Sequence, residues 1–239
     1  MQAMILAAGY GKRLRPLTDT LPKPLVDMGG RPLLDHTLLA LAALGIGQVV
    51  INVHHLAEQI VAHVGDGHAF GLTVRWSHET VLLETGGGVC QALGLLGTEP
   101  FLVINGDVAW DMDLHPMLAA FDPERMDGLL GLVPVADSGC GDFVVDPVTS
   151  RLQRACGSAP GWIYSGLQLL HPAALRDYPV EPFSLNRFYD DAIQRGRLCG
   201  VVMRGFWADI GTPERLSEAR LAWKNRFAIG AGLAYKDQG

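Results

Sequence analysis

Short apolar runs alternate with amphipathic segments through the first half of the chain. Residues 3–8 are continuously apolar and the run stops at Gly9, which is typical of a strand buried on both faces. Apolar residues then recur at helical spacing over 35–44, and a second apolar run follows at 49–53. This order predicts a strand, a loop, a helix and a parallel strand, joined by a right-handed crossover.

The same alternation continues to about residue 107. The spacing predicts helices over 56–64 and 86–96, the second with Thr85 as its N-terminal cap, and strands over 72–76 and 101–104. Strands that alternate with helices predict an α/β fold with a mostly parallel sheet, in which ligands bind beyond the carboxyl ends of the strands.

Beyond about residue 127 the pattern changes to strand-like segments with fewer helices. No stretch rich in serine, proline or charge separates the two halves, so we expect one domain over 1–228. Its first half would be 1–126, and 127–228 would extend the sheet and form a lid. Predicted strands cover 128–135, 143–145, 163–170 and 198–203, with a helix over 186–195.

The last predicted helix begins at Thr212-Pro213-Glu214, which combines a capping hydroxyl, a proline at the first helical position and an acid in the first turn. Glycines follow it, so we expect residues 229–239 to form a flexible tail. The inward stripe of this helix is predicted to be Leu216, Ala219, Trp223 and Phe227.

Composition narrows the class of protein. The 239 residues are 49% hydrophobic and 18% charged, as in folded globular proteins. The formal net charge of −6 leaves no basic excess for a nucleic-acid partner. No apolar run approaches the roughly 18 residues of a membrane span, so we expect a cytoplasmic protein with no membrane partner. The four cysteines stand singly, which predicts incidental thiols rather than a zinc or dithiol site.

The strongest chemical signal is the loop after the first strand. Gly9 and Gly11 allow a sharp turn that points backbone N–H groups at an anion, and Lys12 and Arg13 add positive charge, so the loop suits a polyphosphate. The P-loop pattern GxxxxGK[ST] is absent. A dinucleotide fingerprint would need a small residue where Leu14 stands and an acid closing the second strand, which neither Asn52 nor Val53 supplies.

Lys23 lies between Pro22 and Pro24, which stiffen its backbone and would hold its ammonium at a fixed point against a phosphate. The alternative is a solvated lysine in a proline turn.

Residues 7–13 and 22–24 together resemble the signature of the sugar-1-phosphate nucleotidylyltransferases. Asn105-Gly106-Asp107 and residues 207–212 are similar to the two metal-binding segments of that family, and the resemblance covers residues 3 to about 228. It implies a Rossmann-like, mostly parallel central sheet of the GT-A nucleotidyltransferase type with a smaller sugar-binding or lid extension. The nucleotide-binding half would be 1–126, and 127–228 would be the sugar-binding half with the last metal ligand.

The resemblance also implies the reaction. A sugar 1-phosphate oxygen would attack the α-phosphorus of a nucleoside triphosphate and pyrophosphate would leave. Arg13 would bind the leaving pyrophosphate, and Lys23 would lie between the sugar 1-phosphate and the α-phosphate. Asp107 and Asp209 would hold Mg²⁺. Without the other motifs, Asp107 would be interpreted as a turn residue after a strand, and Asp209 as a buried capping acid.

Binding roles follow from the same resemblance. It implies a nucleotide site at Leu6, Ala8, Gly9, Gly11, Lys12, Arg13 and Gly86. It implies a sugar-phosphate site at Lys23, Asn105, Gly141 and Ser165. The glycines Gly86, Gly87 and Gly88 would permit close approach to a flat ring, or would simply form a flexible helix start.

Segments 84–88, 139–143 and 165–166 resemble the corresponding segments of family members that use UTP and N-acetylmuramate α-1-phosphate. The resemblance therefore implies these two substrates, in cell-wall sugar recycling. Many relatives carry a glutamate before, and an asparagine within, the segment 162–166, and this chain has neither. Loss of an acid there would favour a substrate with its own carboxylate.

Three alternatives stay open. One is guanylyl or thymidylyl transfer to a mannose, glucose or heptose phosphate. The others are a non-catalytic nucleotide-sensing module and a nicotinamide-dependent oxidoreductase. No hexapeptide repeat is present, so we expect a monomer or small homo-oligomer.

Overall fold

The computed structural model describes residues 1–135, 140–156 and 161–233, with side chains as far as residue 226. The strands are β1 (Ala3–Leu6), β2 (Gln48–Val53), β3 (Thr73–His78), β4 (Phe101–Asn105), β5 (Val108–Met112), β6 (Gly128–Pro134), β7 (Phe143–Val145), β8 (Leu152–Arg154), β9 (Trp162–Leu170), β10 (Leu198–Val202) and β11 (Gly205–Asp209). The helices are α1 (Leu33–Ala43), α2 (Ala57–Val64), α3 (Glu84–Leu96), α4 (His115–Ala120), α5 (Asn186–Gln194) and α6 (Pro213–Leu233).

The central sheet has the strand order β10-β6-β9-β4-β1-β2-β3, with β7 and β8 attached beside β9. β1 pairs in parallel with β2 and with β4, and β2 pairs in parallel with β3. β9 runs against both of its neighbours, β4 and β6, so β6 and β10 point the same way as β4. The predicted α/β fold with a mostly parallel sheet is confirmed.

Alternate residues of β1 face opposite sides of the sheet, as the pleat of a strand requires. Ala3 and Ile5 belong to a hydrophobic core with α1 and α2, whereas Met4 packs with α3 and α5 on the other face. A continuously apolar strand therefore predicts burial on both faces correctly, because helices cover each side.

The second half extends the same sheet, as predicted, since β6, β9 and β10 continue it beyond β4. It also contributes a two-stranded antiparallel ribbon of β5 and β11, which the apolar pattern did not predict. β11 pairs with a strand almost a hundred positions earlier, so local spacing carries no signal for it.

One local prediction is wrong. Thr85 does not cap α3: the helix begins at Glu84, and the Thr85 hydroxyl instead accepts a hydrogen bond from Leu185 N at 2.9 Å. α6 continues to Leu233, so residues 229–233 of the predicted tail are helical; residues 234–239 lie outside the described part.

The start of α6 agrees with the sequence. The Thr212 hydroxyl accepts from Arg215 N at 3.4 Å, and hydrogen bonds from Thr212 and from its own backbone lower the pKa of Glu214. Leu216, Ala219 and Trp223 are buried as predicted, while the side chain of Phe227 is outside the described residues. None of the helices in the described ranges is long and apolar enough to cross a membrane.

Candidate active site

A cavity of about 450 Å³ lies at the carboxyl ends of β1, β2 and β4. We call it the carboxyl-edge cavity. It is lined by Leu6, Ala7, Ala8, Gly9, Gly11, Lys12, Arg13, Lys23, Pro24, Asn52, Leu82, Glu84, Thr85, Asn105, Gly106, Asp107, Ser184 and Gly211. The structure therefore brings together most of the residues singled out in the sequence, from segments that are far apart in the chain.

The glycine loop is shaped by a left-handed backbone at Gly11, where φ is +62°. A Cβ at this position would lie 2.9 Å from Thr18 Cγ2, so a larger residue would clash as well as be strained. Gly11 O accepts from Leu14 N and from the Thr18 hydroxyl, both at 2.8 Å. These bonds fix the turn that places Lys12 and Arg13 at the cavity.

A buried polar network joins the glycine loop to the neighbouring strands. Asn52, at the end of β2, accepts from Ala7 N at 2.8 Å and donates to Glu79 Oε1 at 2.7 Å. Glu79 Oε2 accepts in turn from Leu83 N at 2.8 Å. Because Asn52 and Glu79 are only 2% and 5% exposed, breaking the network would leave buried polar groups without partners.

Lys23 is the one buried lysine in the described part of the chain, at 9% exposure. It lies in a 3₁₀ turn, and its ammonium donates to Asp107 Oδ2 at 2.7 Å. The interpretation of Lys23 as a solvated turn residue is therefore wrong. The ammonium is held at the edge of the cavity, and it could offer its positive charge to a phosphate once a cation took its place beside the carboxylate.

Gly106 allows this arrangement. Its N–H donates to Leu6 O at 2.9 Å, and a Cβ here would lie 2.6 Å from that same oxygen. Any larger residue would push the end of β4 away from β1, and Asp107 would move with it.

Asp209 is brought beside Asp107 by the ribbon. Its register pairs Asp209 with Val108, and Ile210 N donates to Asp107 O at 3.0 Å. A Cβ built at Gly211 would be 3.0 Å from Asp209 Oδ2 and 3.1 Å from an Arg13 guanidinium nitrogen. Arg13 and the two acids thus converge on one region, although Asp209 itself does not line the cavity.

The donor set fits one divalent ion of the magnesium type. Two carboxylates from adjacent strand ends are enough for Mg²⁺, which takes its other ligands from phosphate oxygens and water. Within the described residues, no group of three or more His, Cys, Asp or Glu side chains forms a metal site. Here Asp107 is paired with Lys23 and Asp209 with Arg215.

The three glycines of α3 pack against neighbouring segments, and the predicted nucleotide contact of Gly86 stays a prediction. A Cβ at Gly86 would lie 2.2 Å from the Phe183 ring, and one at Gly87 would lie 2.0 Å from Glu181 O. Gly88 faces the side chains of Asn52 and Glu79. None of the three lines the cavity, so they bring α3 close to a neighbouring loop and to the buried network.

Two of the residues predicted to bind the sugar phosphate, Ser165 and Gly141, do not line the carboxyl-edge cavity. Ser165 is fully buried, and its hydroxyl donates to Gly131 O at 2.8 Å, so it holds β9 to β6. Gly141 packs against the backbone of Gly161 and Trp162. Nearby, the Asp142 carboxylate accepts from Tyr164 N at 2.9 Å, so the segment without a glutamate still has an acid beside it.

Tyr164 is a further titratable group near the acids. Burial raises its pKa well above the ordinary value, and Tyr189 and the charge of Asp107 add to that shift. The phenol therefore keeps its proton at neutral pH and cannot act as a general base.

Sequence reasoning missed several lining residues. Asn52 could have been found, because it closes a buried parallel strand just as Asn105 does, and such strand ends share one edge. Ser184 and Leu82 come from loops with no local signal. Glu84 was considered only as part of the segment 84–88, and Thr85 mainly as the predicted N-terminal cap of α3.

Comparison with known proteins agrees with this geometry. Residues 2–140 match the nucleotidyl transferase family. The chain is 39% and 40% identical to N-acetylmuramate alpha-1-phosphate uridylyltransferases of Caulobacter vibrioides and Neisseria meningitidis, covering 92% and 94% of this chain and 96% and 100% of theirs. It is 32% identical to the Xenopus laevis mannose-1-phosphate guanyltransferase beta-B, over 90% of this chain and 62% of that one.

A solved structure shows the same fold. A putative glucose-1-phosphate thymidylyltransferase from Bacillus anthracis superposes with a TM-score of 0.80, covering 93% of this chain and 95% of that one at 20% sequence identity.

Proposed function

The chain belongs to the nucleotidyl transferase family, and from that premise we propose that it transfers a uridylyl group from UTP to N-acetylmuramate α-1-phosphate, with release of pyrophosphate. The observation that carries the proposal is the convergence of Arg13, Lys23, Asn105 and Asp107 on one cavity. The expected products are a UDP-sugar and pyrophosphate, in cell-wall sugar recycling in the cytoplasm.

The choice of substrates rests on the relatives. Identity of 39–40% extends over nearly the full length of both uridylyltransferases, whereas the mannose enzyme is 32% identical and is matched over only 62% of its length. The absence of a glutamate before the segment 162–166 does not support either substrate, because the Asp142 carboxylate lies beside the same segment.

Positioning and charge would supply the catalysis. The glycine loop, Lys12 and Arg13 would bind the triphosphate, and Lys23 would stabilise the oxygens crowded around the α-phosphorus. The attacking phosphate oxygen would form the new P–O bond while the α–β bridging bond breaks, and pyrophosphate would leave with the electron pair. The described cavity lining holds no cysteine or histidine, so a direct transfer fits it best.

Asp107 and Asp209 would hold Mg²⁺, which would neutralise charge on the reacting phosphates when bound. For the acids to do so, Lys23 and Arg215 would have to release part of their present pairing and turn to the phosphate oxygens.

The test is pyrophosphate release measured for each nucleoside triphosphate crossed with a panel of sugar 1-phosphates, with and without Mg²⁺. We expect the highest kcat/KM for UTP with N-acetylmuramate α-1-phosphate, and no turnover in EDTA. A maximum with GTP and mannose 1-phosphate would overturn the substrate assignment and favour the guanylyl alternative, which the similarity to the mannose enzyme makes the second candidate.

The two non-transferase alternatives give different results. A nucleotide-sensing module would bind UTP but release no pyrophosphate with any sugar phosphate. A nicotinamide-dependent oxidoreductase would change NADH fluorescence on binding and would not respond to UTP. In an enzyme, Asp107→Asn should abolish turnover and retain most of the nucleotide affinity.

A further inference from the structure

A second cavity, of about 280 Å³, lies at the opposite edge of the sheet. Four arginines line it, from the segments that lead into β6 and β10 and from the turn before β8: Arg125, Arg151, Arg195 and Arg197. β6 and β10 run in the same direction as β4, so the residues before them lie at the amino-terminal edge, and the two cavities share no lining residue. We call this the arginine cavity.

The charge at this cavity is opposite to that of the whole chain. The protein has 19 lysines and arginines against 25 acids, for a net charge of −6, yet four of the 19 line one small cavity. Glu124 is the acidic residue among the described lining. Guanidinium groups gathered in this way repel one another, so the arrangement favours an anion between them.

Two of the arginines are held in fixed positions by one carboxylate. Asp127, which is 8% exposed, accepts from Arg195 at 2.9 Å and from Arg197 at 2.5 Å. Arg197 also donates to Glu124 O and Pro123 O, at 3.0 and 3.3 Å. The single negative charge of Asp127 therefore pairs with two guanidinium groups, and this cluster of three side chains keeps a net positive charge.

The other two arginines form no such close pair, although the Asp146 carboxylate attracts Arg151 electrostatically. In the described part of the chain, neither Arg125 nor Arg151 forms an ion pair with a carboxylate. The Arg151 guanidinium lies against Gly196, where a Cβ would be 3.5–3.6 Å from its atoms. Gly196 has φ of +65°, so the backbone that supports Arg151 is one that favours glycine.

We propose that the arginine cavity binds a phosphate-bearing anion, with Arg125 and Arg151 as the principal charged contacts and Arg195 and Arg197 as the fixed wall. Planar guanidinium groups match phosphate oxygens in paired hydrogen bonds, and a phosphoryl group has more negative charge and more acceptor oxygens than a carboxylate to share among several arginines. A positively charged lining excludes a metal ion. The cavity is just below the roughly 300–1,000 Å³ of ordinary small-molecule sites, so it suits a phosphoryl or diphosphate group rather than a whole nucleotide.

The test uses inorganic pyrophosphate as the probe, at constant ionic strength, followed by isothermal titration calorimetry. All proteins carry Arg13→Gln and Lys23→Gln, which weaken binding in the carboxyl-edge cavity. On this background, Arg125→Gln/Arg151→Gln is compared with Arg31→Gln/Arg75→Gln, a pair that removes the same charge from exposed positions elsewhere.

We expect the parent and the Arg31/Arg75 control to bind pyrophosphate with similar affinity, and the Arg125/Arg151 variant to bind at least about tenfold more weakly. Equal affinity in all three proteins, or no heat of binding in the parent at millimolar pyrophosphate, would overturn the proposal. Thermal melts confirm that each variant is folded.

The same two substitutions, made without the Arg13 and Lys23 changes, should leave pyrophosphate release from the substrates near that of the native chain. The binding result therefore stands apart from the proposed transferase function, and either can fail alone.

Discussion

Polar residues have different roles in the parallel and antiparallel parts of the sheet. At the ends of the parallel strands β2 and β4, Asn52 and Asn105 line the cavity, and Asp107 follows β4. In the reversed strand β9, Ser165 and Gln168 are fully buried: the Ser165 hydroxyl donates to Gly131 O, and Gln168 Oε1 accepts from the Tyr189 hydroxyl. The direction of the strands explains this contrast. Parallel strands bring their carboxyl ends to one edge of the sheet, whereas β9 begins at that edge, and its polar side chains pack inside the protein.

The contrast teaches that a polar residue is a better functional candidate when it ends a parallel strand than when it lies within a reversed one. Asn105 and Ser165 were assigned to the same sugar-phosphate site from sequence, and only Asn105 lines the cavity. The predictions below test this distinction.

The largest effect is expected at Lys23. We expect Lys23→Gln to lower kcat/KM by about 10²–10³-fold, because it removes a positioned charge from the crowded phosphates. Steady-state pyrophosphate release measures the loss. Lys224→Gln is the control, since Lys224 is an exposed lysine on α6. Equal rates for the two variants would show that Lys23 only pairs with Asp107.

A substitution at Gly86 tests whether this residue has a packing role or contacts the nucleotide. We expect Gly86→Ala to lower the free energy of unfolding by about 1–3 kcal/mol, because its Cβ would meet the Phe183 ring. Gly94→Ala on the same helix has open space around it and should stabilise by about 0.5–1 kcal/mol. Urea unfolding measures both changes.

Rescue of Gly86→Ala by Phe183→Leu would confirm the packing role. A raised KM for UTP at unchanged stability would instead return Gly86 to the nucleotide site.

Ser165→Ala should act on stability alone. Loss of the buried hydroxyl leaves Gly131 O without its donor, so we expect a cost of about 1–2 kcal/mol in urea unfolding. Turnover per folded molecule should be unchanged. Ser217→Ala, which removes an exposed hydroxyl from α6, should stay within about 0.5 kcal/mol of the native protein. A raised KM for the sugar phosphate would contradict the contrast between the strands.

The smallest effect concerns thiol reactivity. Burial raises the pKa of Cys90 to about 11, so near pH 8 only about one thiol in a thousand is the reactive thiolate, and the fraction rises with pH. Cys156 is exposed. Ellman's reagent should react promptly with Cys156, as shown by its loss in Cys156→Ser, and with Cys90 only after unfolding. Prompt reaction at Cys90 in the native protein would show that α3 opens readily.

Much of the site could be predicted from the sequence because its strongest signals are local. A glycine turn after an apolar strand, a lysine between prolines and an acid at a strand end each depend on a few neighbouring residues, and Gly11, Lys23 and Asp107 all line the cavity. The cap prediction for Thr85 was wrong, and the packing of Gly86 and Ser165 was not predicted, because the partners of these residues, Leu185, Phe183 and Gly131, are distant in sequence.

By itself the sequence determined the alternation of strands and helices, the parallel core and the anion-binding loop, since apolar periodicity and backbone freedom are properties of short segments. Only the tertiary structure decided which distant residues meet. The antiparallel ribbon of β5 and β11 sets Asp209 beside Asp107, and Asp127 gathers Arg195 and Arg197 at the other edge. Such contacts depend on strand pairing between remote segments, which no local pattern encodes.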